Sequence, residues 1–156
     1  MENYLLYIIF FHVLGAIVWV GGMIAIRFAV HTAMQNIDDP KVKIARTLEI
    51  TGRLFALVLP FIVLILATGL IMASTFGFRG HTDLSMIVHV KEAIWLLMAI
   101  NYGLMVYIRF QAQSKFLSSD LESSKKLLSK IAKFLLPLNI FLGILALYFG
   151  LILRGF

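Results

Sequence analysis

Two histidines lie within strongly apolar stretches of the chain, where ionisable side chains are uncommon. His12 lies in the first such stretch, and His89 lies near the start of another, which covers residues 86–109. Lys91 and Glu92 follow His89 within one helical turn. Charged residues in membrane-spanning segments are rare and usually mark a functional site. Because imidazole nitrogen is a common ligand of metal ions and of haem iron, these residues indicate metal or haem chemistry.

The residue types that are missing narrow this chemistry further. The chain has no cysteine, which excludes disulfides, thiolate metal centres and iron–sulfur clusters. Its seven methionines are scattered, without the closely spaced pairs that would suggest a copper relay. A copper site stays open as an alternative, and it would use His12, His89 and Met23. Imidazole, thioether, carboxylate and backbone groups must therefore carry any chemistry.

The composition indicates the kind of element that holds these residues. Hydrophobic residues make up 61% of the 156, charged residues make up 14%, and the mean hydropathy is +0.95. This balance excludes an ordinary globular protein and predicts an integral membrane protein. Four apolar runs, at residues 5–26, 54–75, 86–109 and 134–153, have about the twenty residues that a membrane-spanning helix needs. The sequence thus predicts an all-α, up-and-down four-helix bundle that forms a single transmembrane domain. The polar stretches 41–51 and 118–135 have helical periodicity and are expected to extend spans 2 and 4.

Basic residues are concentrated in two of the three connections between the spans. Eleven of the fourteen lysines and arginines lie there, namely Arg27, Lys41, Lys43, Arg46, Arg53, Arg109, Lys115, Lys125, Lys126, Lys130 and Lys133. The positive-inside rule places both connections in the cytoplasm and both termini outside. The net charge of +6 is therefore a matter of topology and does not indicate nucleic-acid binding. His81, in the remaining connection beside Arg79, is interpreted as a solvated loop residue.

An up-and-down bundle brings His12 and His89 to the same depth. Spans 1 and 3 run in the same direction, and at about 1.5 Å per residue each histidine lies roughly 7 to 10 Å below the same surface. Gly15 and Trp19 share the helical face of His12, and Ala93 shares that of His89. Small neighbours leave room for a flat ring between these helices, which predicts the two histidines as axial haem ligands. The alternative is that each histidine only hydrogen-bonds a neighbouring helix.

Lys91 and Glu92 also leave two interpretations open. Lys91 points nearly away from His89, and it either pairs with Glu92 or holds a carboxylate of a bound molecule. Otherwise its long side chain reaches the nearby membrane surface. A cation close to the outer surface would suit an anionic tetrapyrrole.

Several of these residues, in their order and spacing, resemble a known family. The first span and its end carry Phe11-His12, Trp19, Gly21-Gly22, Arg27 and His31. The second span carries Arg53-Leu54, Pro60 and Gly69, and the third carries His89-Val90-Lys91. This pattern resembles the HemJ-type protoporphyrinogen oxidases and the related CopD-like membrane proteins.

The resemblance implies a haem b protein of the bacterial inner membrane. His12 and His89 would be associated with haem, while Lys91, Arg27 and His31 match polar positions of the family and are the candidate catalytic residues. The expected reaction is oxidation of protoporphyrinogen IX to protoporphyrin IX, with electrons passed to quinone. Arg27 and His31 lie at the opposite side from Lys91 and would serve proton release or quinone contact.

Other functions fit the same residues. A non-enzymatic cytochrome b subunit would use the same haem ligands, and a CopD-like copper transport or tolerance protein would use the imidazoles for copper. A cofactor-free structural or assembly protein would need the small residues only for helix packing. Lipid is the expected environment in every case. Four-span chains of this size often assemble into dimers, so a homodimer is one option for this chain, without identifiable interface residues.

Overall fold

The computed structural model describes residues 2–77 and 83–154 of the chain. Within these ranges the chain forms four long helices and no strand. Each helix is long and apolar enough to cross a membrane. We number them α1 (Tyr4–Gln35), α2 (Pro40–Thr75), α3 (Leu84–Leu117) and α4 (Leu121–Leu153). The predicted all-α fold with four membrane-spanning helices is confirmed.

Two of the four helices contain π-helical turns. In α1 the α-helical segments are Glu2–Ala16, Gly22–Ala25 and His31–Gln35, and the π-helical turns are Ile17–Gly21 and Ile26–Val30. In α4 the α-helical segments are Leu121–Lys130 and Leu136–Arg154, joined by the π-helical turn Ile131–Leu135. The other two helices are uninterrupted, over Pro40–Thr75 and Asp83–Leu117. Such turns are rare and are often found near functional sites, and the first of them contains Trp19.

The helices extend well beyond the predicted apolar spans at one end. A carboxylate oxygen of Asp39 accepts hydrogen bonds from the backbone N–H groups of Lys41 and Val42, at 2.8 and 3.3 Å, which starts α2 at Pro40. Asp120 caps α4 in the same way through the N–H of Ser123 at 3.1 Å. The polar connections are therefore largely helical, as their periodicity predicts.

Two names for the ends of the bundle are used below. The end that holds the α1–α2 and α3–α4 connections carries most of the lysines and arginines and is called the basic end. The opposite end, where α1 begins and α4 ends, is called the terminal end. His81 and Arg79 lie outside the described residues.

Large apolar side chains fill the interior of the bundle. Trp19, Met23, Val58, Met98 and Met105 are each no more than 3% exposed. Helix α1 packs mainly on α2, whereas α3 packs on both α2 and α4. The outer surface of the four helices is also apolar, which suits contact with membrane lipid.

Helix α3 is tied to α2 by three side chains that donate hydrogen bonds to backbone carbonyls. Trp95 donates to the carbonyl of Ile62 at 3.2 Å, and Tyr102 donates to that of Phe55 at 2.6 Å. Arg109 donates to the carbonyl of Leu48 through Nε and Nη2, at 3.1 and 3.0 Å. The donors advance by seven residues along α3 while the acceptors fall by seven along α2. The two helices are therefore antiparallel in a fixed register.

Two asparagines tie α3 to α4 in a similar way. The amide of Asn101 donates to the carbonyl of Leu135 at 2.8 Å, at the last residue of a π-helical turn. The amide of Asn139 donates to the carbonyl of Met98 at 3.2 Å. Both asparagines are buried. Polar side chains in membrane helices commonly form interhelical hydrogen bonds of this kind.

Candidate functional site at the terminal end

His12 is half-buried on α1 and is held by a residue of α2. Its Nδ1 lies 2.9 Å from the hydroxyl oxygen of Thr68. That hydroxyl lies 2.6 Å from the carbonyl oxygen of Leu64 in its own helix, to which it donates its single hydrogen. With that hydrogen given to Leu64, the Thr68 oxygen accepts from His12, and the proton of the ring is assigned to Nδ1. In the neutral imidazole the lone pair is then on Nε2, which leaves that nitrogen able to bind a metal.

Two α2 residues near His12 differ in size: Gly69 lies against the ring, and Ile65 lies against Gly15. A Cβ at Gly69 would lie 3.4 Å from Cε1 of His12, so the ring lies directly against this glycine. A Cβ at Gly15, one turn along α1, would lie only 2.7 Å from Cγ1 of Ile65. Gly15 was expected to leave room for a flat ring, but Ile65 fills that room. Its role is to let α1 and α2 approach closely.

Lys91 points into the bundle at the same end. Its ammonium lies 3.1 Å from the position that a Cβ would take at Gly150 of α4. Of the alternatives for Lys91, pairing with Glu92 is not formed, because Glu92 contacts His89 instead. The described residues provide no hydrogen bond or ion pair to Lys91. The terminal end therefore contains an inward cation beside an oriented imidazole.

His89 lies on the opposite face of α3, away from the interior. Its Nδ1 lies 3.2 Å from a carboxylate oxygen of Glu92, and its side chain is 71% exposed. Ala93 and the residues that continue this face, Leu96, Ile100 and Gly103, are exposed as well. The reason is that Trp95, Tyr102 and Arg109 must reach carbonyls of α2, which turns the His89 face outward.

The predicted pair of facing imidazoles is therefore not formed within this chain. The register that sets Trp95 beside Ile62 does place Thr68, and with it His12, level with His89, so the expected equal depth agrees with the structure. The direction of His89 does not. Of the two axial haem ligands that were expected, the interior of this chain offers one, His12.

Trp19 lies on the same face of α1 as His12 and is 1% exposed. It was expected to line a cofactor site, and it forms part of the core. Its indole Nε1 is buried and has no hydrogen-bond partner among the described residues. Asn139 likewise keeps a buried, unpartnered amide oxygen. Because buried polar atoms are nearly always paired, these two atoms are exceptions within the described core.

Arg27 and His31 line a different cleft at the basic end. This cleft lies between α1, α2 and α4 and has a volume of about 40 Å³. The His31 ring contacts Gln35, Nε2 to Nε2 at 3.2 Å. His31 lies nineteen residues from His12 along α1, or about 28 Å, so the two histidines cannot share one ligand. The cleft admits water and is far smaller than the roughly 300 Å³ of a typical small-molecule site.

Thr68 and Gly150 are the site residues that the sequence did not reveal. Thr68 precedes Gly69, so a small polar residue next to glycine in an apolar span was the available signal. Gly150 could only have been found from the packing of α4 against α3. Among the residues that the structure describes, no group of three or more histidine, aspartate or glutamate side chains could hold a metal ion.

These observations define a four-helix membrane protein with an oriented histidine and an inward lysine at its terminal end. Comparison of the chain with protein-family models, curated proteins and solved structures finds no match. The function is therefore inferred from the site itself.

Proposed function

We propose that the chain is a haem b-binding membrane oxidoreductase in which His12 is the histidine ligand. The carrying observation is the 2.9 Å contact between Nδ1 of His12 and the Thr68 hydroxyl, which orients the ring and would leave Nε2 to bind a ligand. Histidines that bind metals nearly always donate their other ring nitrogen in this way, since the hydrogen bond sets both the tautomer and the ring orientation.

Lys91 supplies the second part of the proposal. Haem and porphyrinogens carry carboxylates, and an inward ammonium without a partner among the described side chains would bind one of them. The neighbouring Gly150 leaves space at the ammonium that any larger residue would occupy. Lys91 would thus hold the ring system by a carboxylate while His12 binds at its centre.

The reaction class follows from what this group supplies. Bound haem provides a one-electron acceptor, and the protein provides its ligand, its orientation and the charge near its carboxylates. The proposed substrate is protoporphyrinogen IX, oxidised to protoporphyrin IX with electrons passed to quinone. Arg27 and His31 are too far away to touch the same ligand and would serve proton release or quinone contact.

The proposal also covers topology and assembly. The basic end would lie in the cytoplasm of a bacterial inner membrane, in keeping with the positive-inside rule. The outward face of His89 and Ala93 would then be available to a second copy of the chain. In this arrangement His89 could bind a haem only at the outer surface of the bundle.

The experiment is an absorption spectrum of the purified protein, oxidised and dithionite-reduced, after expression in a haem-replete host. We expect a Soret band that His12→Ala abolishes and that His31→Ala, a histidine of the same helix at the other end, leaves unchanged. Thr68→Val keeps the side-chain shape but removes the acceptor, and it should weaken haem retention about 10- to 100-fold.

Absence of a Soret band in the wild type, or an unchanged band in His12→Ala, would refute haem binding through His12. Stoichiometric copper without haem would favour the copper alternative. Haem without porphyrinogen turnover would favour a cytochrome b subunit.

A further inference from the structure

A groove at the basic end lies between the end of α3 and the start of α4. It has a volume of about 330 Å³ and is lined by Gln111, Lys115, Ser123, Lys126, Leu127 and Lys130. This volume is within the range of small-molecule binding sites. The groove is separate from the His12 and Lys91 site and from the Arg27 cleft.

The groove lies where the apolar surface of the bundle ends. Tyr107, one turn before Gln111 on α3, is 59% exposed, and its hydroxyl accepts a hydrogen bond of 2.6 Å from the Gln111 amide. Phe134, one turn after Lys130 on α4, is 69% exposed. Tyrosine is enriched at the boundary between the membrane interior and water. The groove is therefore at the level of lipid headgroups, with apolar surface leading up to it.

The charge of the groove is strongly positive. The Asp120 carboxylate contacts two of the lining residues, with one oxygen 3.8 Å from the Lys115 ammonium and the other accepting from the N–H of Ser123. Hydrogen bonds from Ser123, and to a smaller extent the charge of Lys115, hold the pKa of the Asp120 carboxyl below its ordinary value. Asp120 thus stays charged and offsets part of the Lys115 charge. Lys126 and Lys130 have no ion pair within the described residues.

We propose that this groove binds the phosphate of an anionic phospholipid. Lys126 and Lys130 would contact the phosphate, the Ser123 and Gln111 side chains would hydrogen-bond the headgroup, and the acyl chains would run along Tyr107 and Phe134. Basic pockets between membrane helices are suited to anionic headgroups, because each nearby lysine adds attraction to the same phosphate. A soluble anion would gain nothing from the apolar surface beside the groove, which is why a lipid is the proposed occupant.

The test is native mass spectrometry of the detergent-solubilised full chain, mixed with equal amounts of phosphatidylglycerol and phosphatidylcholine. The groove variant is Lys115→Gln/Lys126→Gln/Lys130→Gln. The control variant, Lys41→Gln/Lys125→Gln/Lys133→Gln, removes the same charge from exposed lysines at the same end that do not line the groove. Wild type and control should retain phosphatidylglycerol preferentially, and the groove variant should lose that preference by about tenfold or more.

Equal loss in the control would show diffuse attraction to the basic end and would overturn the proposal, as would full retention by the groove variant. Inorganic phosphate is then added to the wild type at the same concentration as the lipid. It should not displace phosphatidylglycerol. Displacement at equal concentration would show a site for a free anion and would equally overturn a lipid site.

Discussion

The two faces of α3 carry polar side chains in different ways. On the inward face, Trp95, Tyr102 and Arg109 each donate to a backbone carbonyl of α2. On the outward face, His89 contacts only Glu92 of its own helix among the described residues, and apolar residues follow it. The inward groups tie helices together, because an unpaired donor would be costly in an apolar interior. The outward pair lies near the end of a membrane-spanning helix, and long polar side chains at such ends can reach water.

Lys91 differs from the other donors of the inward face. It is the one that lies nearest the terminal end, and no carbonyl or carboxylate of the described residues pairs with it. The other donors of this face are each paired with a backbone carbonyl, so an unpaired cation on the same face is unusual. On this helix, a candidate functional residue therefore differs from a packing residue in where its side chain points and whether it has a hydrogen-bond partner, and not in residue type.

The largest test of this assignment of faces compares two adjacent residues of α3. Met105 is fully buried at 0% exposure, whereas Leu104 is 45% exposed. Met105→Ala should lower the free energy of unfolding by about 2 to 5 kcal/mol, because it leaves a cavity in the packed interior. Leu104→Ala exchanges contacts with lipid or detergent and should change it by less than about 0.5 kcal/mol. Thermal unfolding of the solubilised protein measures both, and similar losses would mean that the faces are wrongly assigned.

A second test uses two glycines. A Cβ at Gly143 of α4 would lie 2.6 Å from Cγ2 of Val20 and 3.3 Å from Cε of Met98, so Gly143→Ala overfills the interior. It should cost about 1 to 3 kcal/mol. Gly103, on the outward face of α3, has nothing within 4 Å of such a Cβ. Gly103→Ala should therefore stabilise the helix by up to about 1 kcal/mol. Shifts of the same sign in unfolding temperature would contradict this contrast.

The sequence predicted the number and extent of the helices better than it predicted which face of each helix points into the bundle. Apolar runs of about twenty residues fix the number of spans, and the periodicity of residues 41–51 fixes the extension of α2. The direction of His89 could not be predicted from the sequence. In water, a polar face and an apolar face show which side of a helix is buried, but this signal is missing when the bundle interior and the lipid are both apolar. Thr68 was missed for a related reason, since its contact with His12 depends on how α1 and α2 pack.

The last test is Lys91→Met, which should have a small effect on stability and a specific effect on binding. Removing an unpaired interior charge should leave the free energy of unfolding unchanged or raise it by up to about 1 kcal/mol. The reason is that folding no longer carries the desolvation cost of the ammonium. Binding should respond differently if Lys91 holds a carboxylate. The wild type should bind haem about tenfold more tightly than haem dimethyl ester, whose carboxylates are blocked, and Lys91→Met should bind both equally. Lys125→Met, at an exposed lysine, should keep the wild-type preference. Marked destabilisation by Lys91→Met, with the preference for haem retained, would instead make Lys91 a structural residue of the inward face.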